Sequence, residues 1–159
     1  MNPALSPALL EQVRAAYEQI SGLPFPVHAT LSDGTMFLAN KAAREFFGMS
    51  QELDLEEIKI QSFYEDSRER EQVLRKLRHS SPGEWHNNIT IRLKVGSEHR
   101  KSRLSTLPFF DPNSGHLAAM LNITSSMTEV EWFAEFEDTF DAGFFEMDER
   151  FAITSCNAK

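Results

Sequence analysis

Two hydrophobic periods alternate along the chain, and their order predicts the architecture. The first is helical. Leu9, Leu10, Val13, Ala16, Tyr17 and Ile20 recur at three- and four-residue spacing, which predicts an amphipathic helix over residues 7–21. Ser6 supplies an N-cap, Pro7 suits the first helical position, Leu5 can staple onto Leu10, and Gly22 suits the C-terminal cap. Pro24-Phe25-Pro26 then forces extended backbone, so this helix flanks the domain that follows.

Residues 27–31 and 35–39 surround Ser32-Asp33-Gly34, and Asp-Gly between two apolar runs signals a β-hairpin. Asn40 caps a short helix over 41–47 that Gly48 closes. One or two helical turns fit residues 53–63. Asp66 caps a clearer helix reaching about His79, with Glu69 placed for a capping box and Val73, Leu74 and Leu77 on its buried face. From Trp85 the period becomes two: Ile89, Ile91, Leu93 and Val95 alternate with polar residues, as in a half-buried strand. Turns at 96–98 and 111–115 separate further strands over 100–110 and 116–124. Strands joined by such short turns are antiparallel, so the prediction is an α+β fold with a five-stranded antiparallel sheet, short helices on one face, and amphipathic helices flanking it at both ends. The C-terminal flank, capped by Ser126 and Glu129, runs to Asp141 with Gly143 at its end.

Charge changes the picture in one place. Acidic residues outnumber basic ones 24 to 16 in the 159-residue chain, for a net charge of −8. Nine acidic residues against Arg150 alone lie between Ser126 and Arg150, so this segment accounts for the whole imbalance. Nothing basic enough for nonspecific nucleic-acid binding is present. A single cysteine, Cys156, excludes a disulfide framework and a cysteine zinc site. No apolar run is long enough for a membrane span, and no basic region precedes an apolar stretch at the N-terminus, so a cytoplasmic protein is expected.

Residues 25–124 resemble the PAS sensor family. The anchors are Asp33-Gly34, then Asn40 with Ala42 and Ala43, Phe46-Phe47-Gly48, Gly83-Glu84-Trp85 before the third strand, and Leu121-Asn122-Ile123-Thr124. Asn122 stands where the family usually has Asp. Residues 144–158 resemble the opening of a second PAS repeat, with Asn157 aligned to Asn40. The domains expected are therefore a flanking helix over 1–23, a PAS domain over 24–125, an acidic connector helix over 126–143, and the truncated start of a second repeat over 144–159. That arrangement implies a piece of a longer multidomain sensor of bacterial type, with an output domain, histidine kinase or diguanylate cyclase, elsewhere in the chain.

The resemblance also frames the chemistry. No nucleophile, phosphate-cradling loop or metal-ligand spacing is recognisable, so no catalytic residue and no metal site are expected. A ligand pocket would lie between the inner sheet face and the short helices, lined by Phe37, Ile58, Ile60, Phe63, Leu74, Leu77, Ile89, Ile91, Leu104 and Met120. Those residues favour a small apolar ligand, or a filled interior. Haem or FAD is the alternative: His79 is the one histidine on the helix that carries axial ligands in haem-binding relatives, and Trp85 could stack on a flavin. A photoreactive flavin needs a cysteine after the first hairpin, and none occurs there. The basic cluster Arg92, Lys94, Arg100, Lys101 and Arg103 reads as a solvated sheet face. Homodimerisation is expected through the flanking helices, at Leu9 and Val13 on the first and at Val130, Phe133, Phe136 and Phe140 on the second. A ligand-free interaction scaffold is the remaining reading.

Overall fold

A computed structural model describes residues 5–126 together with two short strands, Phe145–Met147 and Ile153–Cys156. The connector helix, with Val130, Phe133, Phe136 and Phe140, lies outside the described residues.

Helix α1 (Pro7–Ile20) starts as its sequence dictates: Ser6 Oγ accepts the Leu9 N–H and Pro7 occupies the first turn. Leu9, Val13, Ala16 and Ile20 are buried. Gly22 takes no left-handed conformation, contrary to its expected capping role. Just past the helix, Asn40 Nδ2 donates to the carbonyl of Ser21 (3.1 Å).

Strand β1 (Val27–Leu31) and β2 (Met36–Ala39) form the expected hairpin. Gly34 is essential to its turn: φ is +93°, and a Cβ there would overlap the Gln61 side chain. Helix α2 (Lys41–Phe46), two 3-10 turns (Leu55–Glu57 and Ile60–Phe63) and helix α3 (Ser67–Leu77) follow. Asp66 caps α3, but the capping box does not close. The Glu69 carboxylate reaches β3 instead, where it accepts from the Arg92 N–H (2.8 Å) and Nε (2.6 Å), because a guanidinium offers a stronger partner than one amide.

Strands β3 (His86–Val95), β4 (Glu98–Phe110) and β5 (Leu117–Ser126) complete the sheet. Its order is β2-β1-β5-β4-β3 and every neighbouring pair is antiparallel. β6 (Phe145–Met147) and β7 (Ile153–Cys156) pair with each other in a separate antiparallel sheet.

The main sheet carries a different core on each face. On the outer face, Val13, Ala16 and Ile20 of α1 pack on Val27, Ala29, Leu107, Ala119 and Leu121. On the inner face, Ile91, Leu93, Leu104 and Met120 pack under α2, the 3-10 turns and α3, with Phe46, Phe47, Val73, Leu74 and Leu77.

Candidate functional site

The inner face is where the strands depart from simple hydrophobic alternation. His28 on β1 pairs with Asn122 on β5, Asn122 with Thr106 on β4, and Thr106 with His86 on β3. Directly paired residues share a face, so one rung of four polar side chains crosses four strands beneath the helices. His28, Asn122 and Thr106 are buried. His28 Nδ1, Thr106 Oγ1, His86 Nε2 and the nearby Ser102 Oγ find no hydrogen-bond partner among the described residues. Asn122 Nδ2 donates only at long range, to Thr30 Oγ1 and the Met120 carbonyl (both 3.4 Å).

A β-bulge builds this rung. Asn88 adopts φ +59°, and the β3–β4 register slips between His86 and Ile89. The slip turns His86 inward. It also turns Trp85 outward, where it packs with the α1 cluster. Alternation from Ile89 would place Trp85 on the inner face, so the flavin-stacking position expected for it is corrected by one residue of bulge.

A cavity of about 20 Å³, room for roughly one water, sits between the inner face and the helices. Its apolar wall includes Phe47, Val73 and Leu93 along with five residues expected from the sequence: Ile60, Leu74, Ile91, Leu104 and Met120. Ile58, Phe63, Leu77 and Ile89 pack in the same core without lining it. Phe37 is displaced entirely, since strand alternation sends it to the outer cluster. Six polar residues complete the wall: His28, Thr30, Tyr64, Arg70, Asn122 and Thr124. The expectation of an apolar lining is thus corrected, because β1 and β5 present polar side chains where β3 and β4 present apolar ones.

Burial governs the titration of this wall. It drives the His28 imidazole down to about 3, so that ring is neutral, with the edge of Phe47 against it (centroids 5.2 Å apart). Burial pushes the Tyr64 phenol up to about 12, opposed by the nearby Arg70 guanidinium. Arg70 itself is held below the usual arginine range by burial.

His79 is exposed just past α3 and does not line the cavity. Neither His79 nor Trp85 therefore meets a group held between the sheet and the helices, so the expected haem and FAD contacts do not fit this arrangement. No cluster of metal-ligating side chains occurs among the described residues. Leu9 and Val13, expected at a dimer contact, are buried within the chain and present nothing to a partner. Two of the five basic residues are engaged: Arg92 pairs with Glu69, and Arg100 donates to the Phe46 carbonyl, stacks on the Phe46 ring and pairs with Glu98.

Asn40 does more than cap α2. Its Oδ1 accepts the Ala43 N–H (2.8 Å) and the Val27 N–H (3.0 Å). Its Nδ2 reaches the carbonyls of Ser21 and Phe25 (3.1 and 2.8 Å), tying the α1–β1 linker to the domain.

The sequence pattern of the PAS fold matches residues 11–123. The chain belongs to the PAS family. No curated protein matches it, while solved PAS structures do. The PAS domain of BvgS from Bordetella pertussis is 18% identical, covering 80% of this chain and 96% of that one with a TM-score of 0.50. A PAS domain of an HTR-like protein from Haloarcula marismortui is also 18% identical, with coverage of 76% and 95% and a TM-score of 0.53. A PAS domain from a two-component sensor histidine kinase is 12% identical, with coverage of 74% and 97% and a TM-score of 0.53. At these identities the likeness speaks for the PAS fold alone. No helix among the described residues of this PAS chain is long and apolar enough to cross a membrane.

Proposed function

We propose that this PAS domain is the sensory and signal-relay module of a multidomain, cytoplasmic signalling protein of bacterial type, dimerising through its C-terminal connector segment and feeding a histidine kinase or diguanylate cyclase. It has no catalytic activity of its own in this reading, and residues 144–159 open a second repeat.

One observation carries the reading. Strand β5 is the common wall of both cores. Met120, Asn122 and Thr124 face the cavity, while Ala119, Leu121 and Ile123 pack in the α1 cluster. Any molecule that shifts the cavity wall therefore moves a strand that also seats α1 and that runs out to Ser126, where the acidic connector segment begins. Such a strand can convert occupancy of the core into a change of packing between flanking segments, which is a population shift between two arrangements. The histidine-kinase origin of one similar structure agrees with the proposed output class.

The dimer part is tested by light scattering coupled to gel filtration. Wild type runs as a dimer, and the double substitution Phe133→Glu, Phe140→Glu runs as a monomer. A monomeric wild type, or a dimer that survives both glutamates, overturns the relay through the connector.

A further inference from the structure

The inner cavity has the volume of one solvent molecule and a wall made for hydrogen bonding. At about 20 Å³ it admits one water and excludes an organic ligand. An apolar cavity stays dry, whereas a polar one holds water once two to four partners surround it. Here the partners come from separate elements. Strand β1 brings His28 and Thr30, β5 brings Asn122 and Thr124, α3 brings Arg70, and Tyr64 lies just before α3.

These groups leave much of their bonding capacity unused. Arg70, 8% exposed, has five N–H donors, and its Nη2 donates to the Ser32 carbonyl (2.8 Å). Asp33 and Glu71 act on the guanidinium charge, so the cavity calls for no added anion. Asn122 Nδ2 is held only by two bonds of 3.4 Å, both at the long limit. Thr124, 1% exposed, makes no side-chain hydrogen bond among the described residues, and neither does the neutral His28 ring. A water both donates and accepts. Its oxygen can take an Arg70 N–H while its hydrogens meet Asn122 Oδ1, Thr124 Oγ1 or an imidazole nitrogen.

We propose that the core cavity binds a single water molecule, held by Arg70 of α3 and by Asn122 and Thr124 of β5, and exchanging more slowly than the chain tumbles. The direct bond of Arg70 goes to the β1–β2 turn, so the water adds a polar link from α3 to β5, the strand that also seats α1. A larger molecule enters only by displacing this water and parting α3 from the sheet. Loss of the bridge is then the first step of sensing. This rests on the reading of the core as the input site, and names what occupies it at rest.

Oxygen-17 magnetic relaxation dispersion of the whole chain tests the idea, because it counts long-lived waters without interference from hydroxyl protons. The dispersion amplitude of wild type should fall by about one water in Val73→Ile, which adds a methylene to the cavity wall. It should fall likewise in Thr124→Val, which keeps the side-chain shape and removes a partner. Thr106→Val, which removes a buried hydroxyl that does not line the cavity, should leave the amplitude unchanged. Either cavity variant decides the matter if the other does not fold. An amplitude equal in wild type and the cavity variants, or one that falls as far in Thr106→Val, overturns the bound water. Light scattering remains the separate test of the relay, so a dry core in a chain that dimerises through its connector overturns the water alone.

Discussion

The two faces of the central sheet use the same five strands for opposite purposes. Under α1 the fully buried cluster is apolar: Val13, Ala16, Ile20, Val27, Ala29, Leu107, Ala119 and Leu121 close on one another, with Tyr17 and Trp85 at its edge. Under α3 the strands present His28, Asn122 and Thr106, α3 itself brings Arg70, several polar atoms lack partners among the described residues, and a cavity persists. Proteins bury polar groups unpaired only rarely, because each costs on the order of 1–3 kcal/mol. The outer face is therefore the stabilising half. The inner face gives up stability, and the return lies in what it can bind.

The largest effect should come from neighbouring residues that face opposite ways. Leu121 is fully buried under α1 and Met120 lines the cavity. Leu121→Ala should cost about 4 kcal/mol, toward the upper end for a buried leucine in a rigid core. Met120→Ala should cost about 2 kcal/mol, because the void it opens beside His28 and Asn122 can hydrate. Urea denaturation measures both, and the reverse order would abolish the distinction between the faces.

How far this division was legible in the sequence follows from where periodicity works. The five strands, their antiparallel order and three helices are readable because apolar positions repeat at two or at three to four residues. Five of the ten residues expected around a pocket line the cavity for the same reason. The polar wall was not readable. His28, Thr30 and Asn122 sit on strands whose other positions are apolar, and a polar residue there looks outward-facing until pairing with its neighbours is known. The exchange of Trp85 for His86 depends on a bulge at Asn88, a residue whose positive φ leaves no pattern in the sequence. Asn40 was legible as a cap, but its grip on Ser21 and Phe25 is tertiary. Leu9 and Val13 show the converse error: an apolar helical stripe gives the face that is buried, without saying whether a sheet or a second chain buries it.

A smaller effect isolates one group on the inner face. His28 is neutral in the folded chain down to about pH 3, whereas in the unfolded chain it protonates near 6.5. Between those values the unfolded state binds the extra proton, so stability is complete above about pH 6.5 and falls as the pH drops toward 3. At pH 5 the loss should be about 2 kcal/mol relative to pH 8. Wild type and His28→Leu are compared by denaturation at pH 8, 6.5 and 5. The variant should lose that part of the slope. Identical slopes would mean that His28 titrates normally and that the inner face is wetter than its burial indicates.

The smallest effect should have the opposite sign. Thr106 is fully buried and its hydroxyl finds no partner. Thr106→Val keeps the β-branched shape that a strand favours and removes the unsatisfied group. The chain should be unchanged or more stable by up to about 1 kcal/mol. The mirror change on the other face, Val13→Thr, introduces a hydroxyl among apolar neighbours and should destabilise by at least that much. Differential scanning calorimetry of the two variants reads both signs. If Thr106→Val destabilises, the hydroxyl is satisfied in solution and the polar rung is a structural network. If it stabilises, the inner face holds a polar group at a cost to the fold, as expected of a surface arranged for a molecule that the chain does not itself supply.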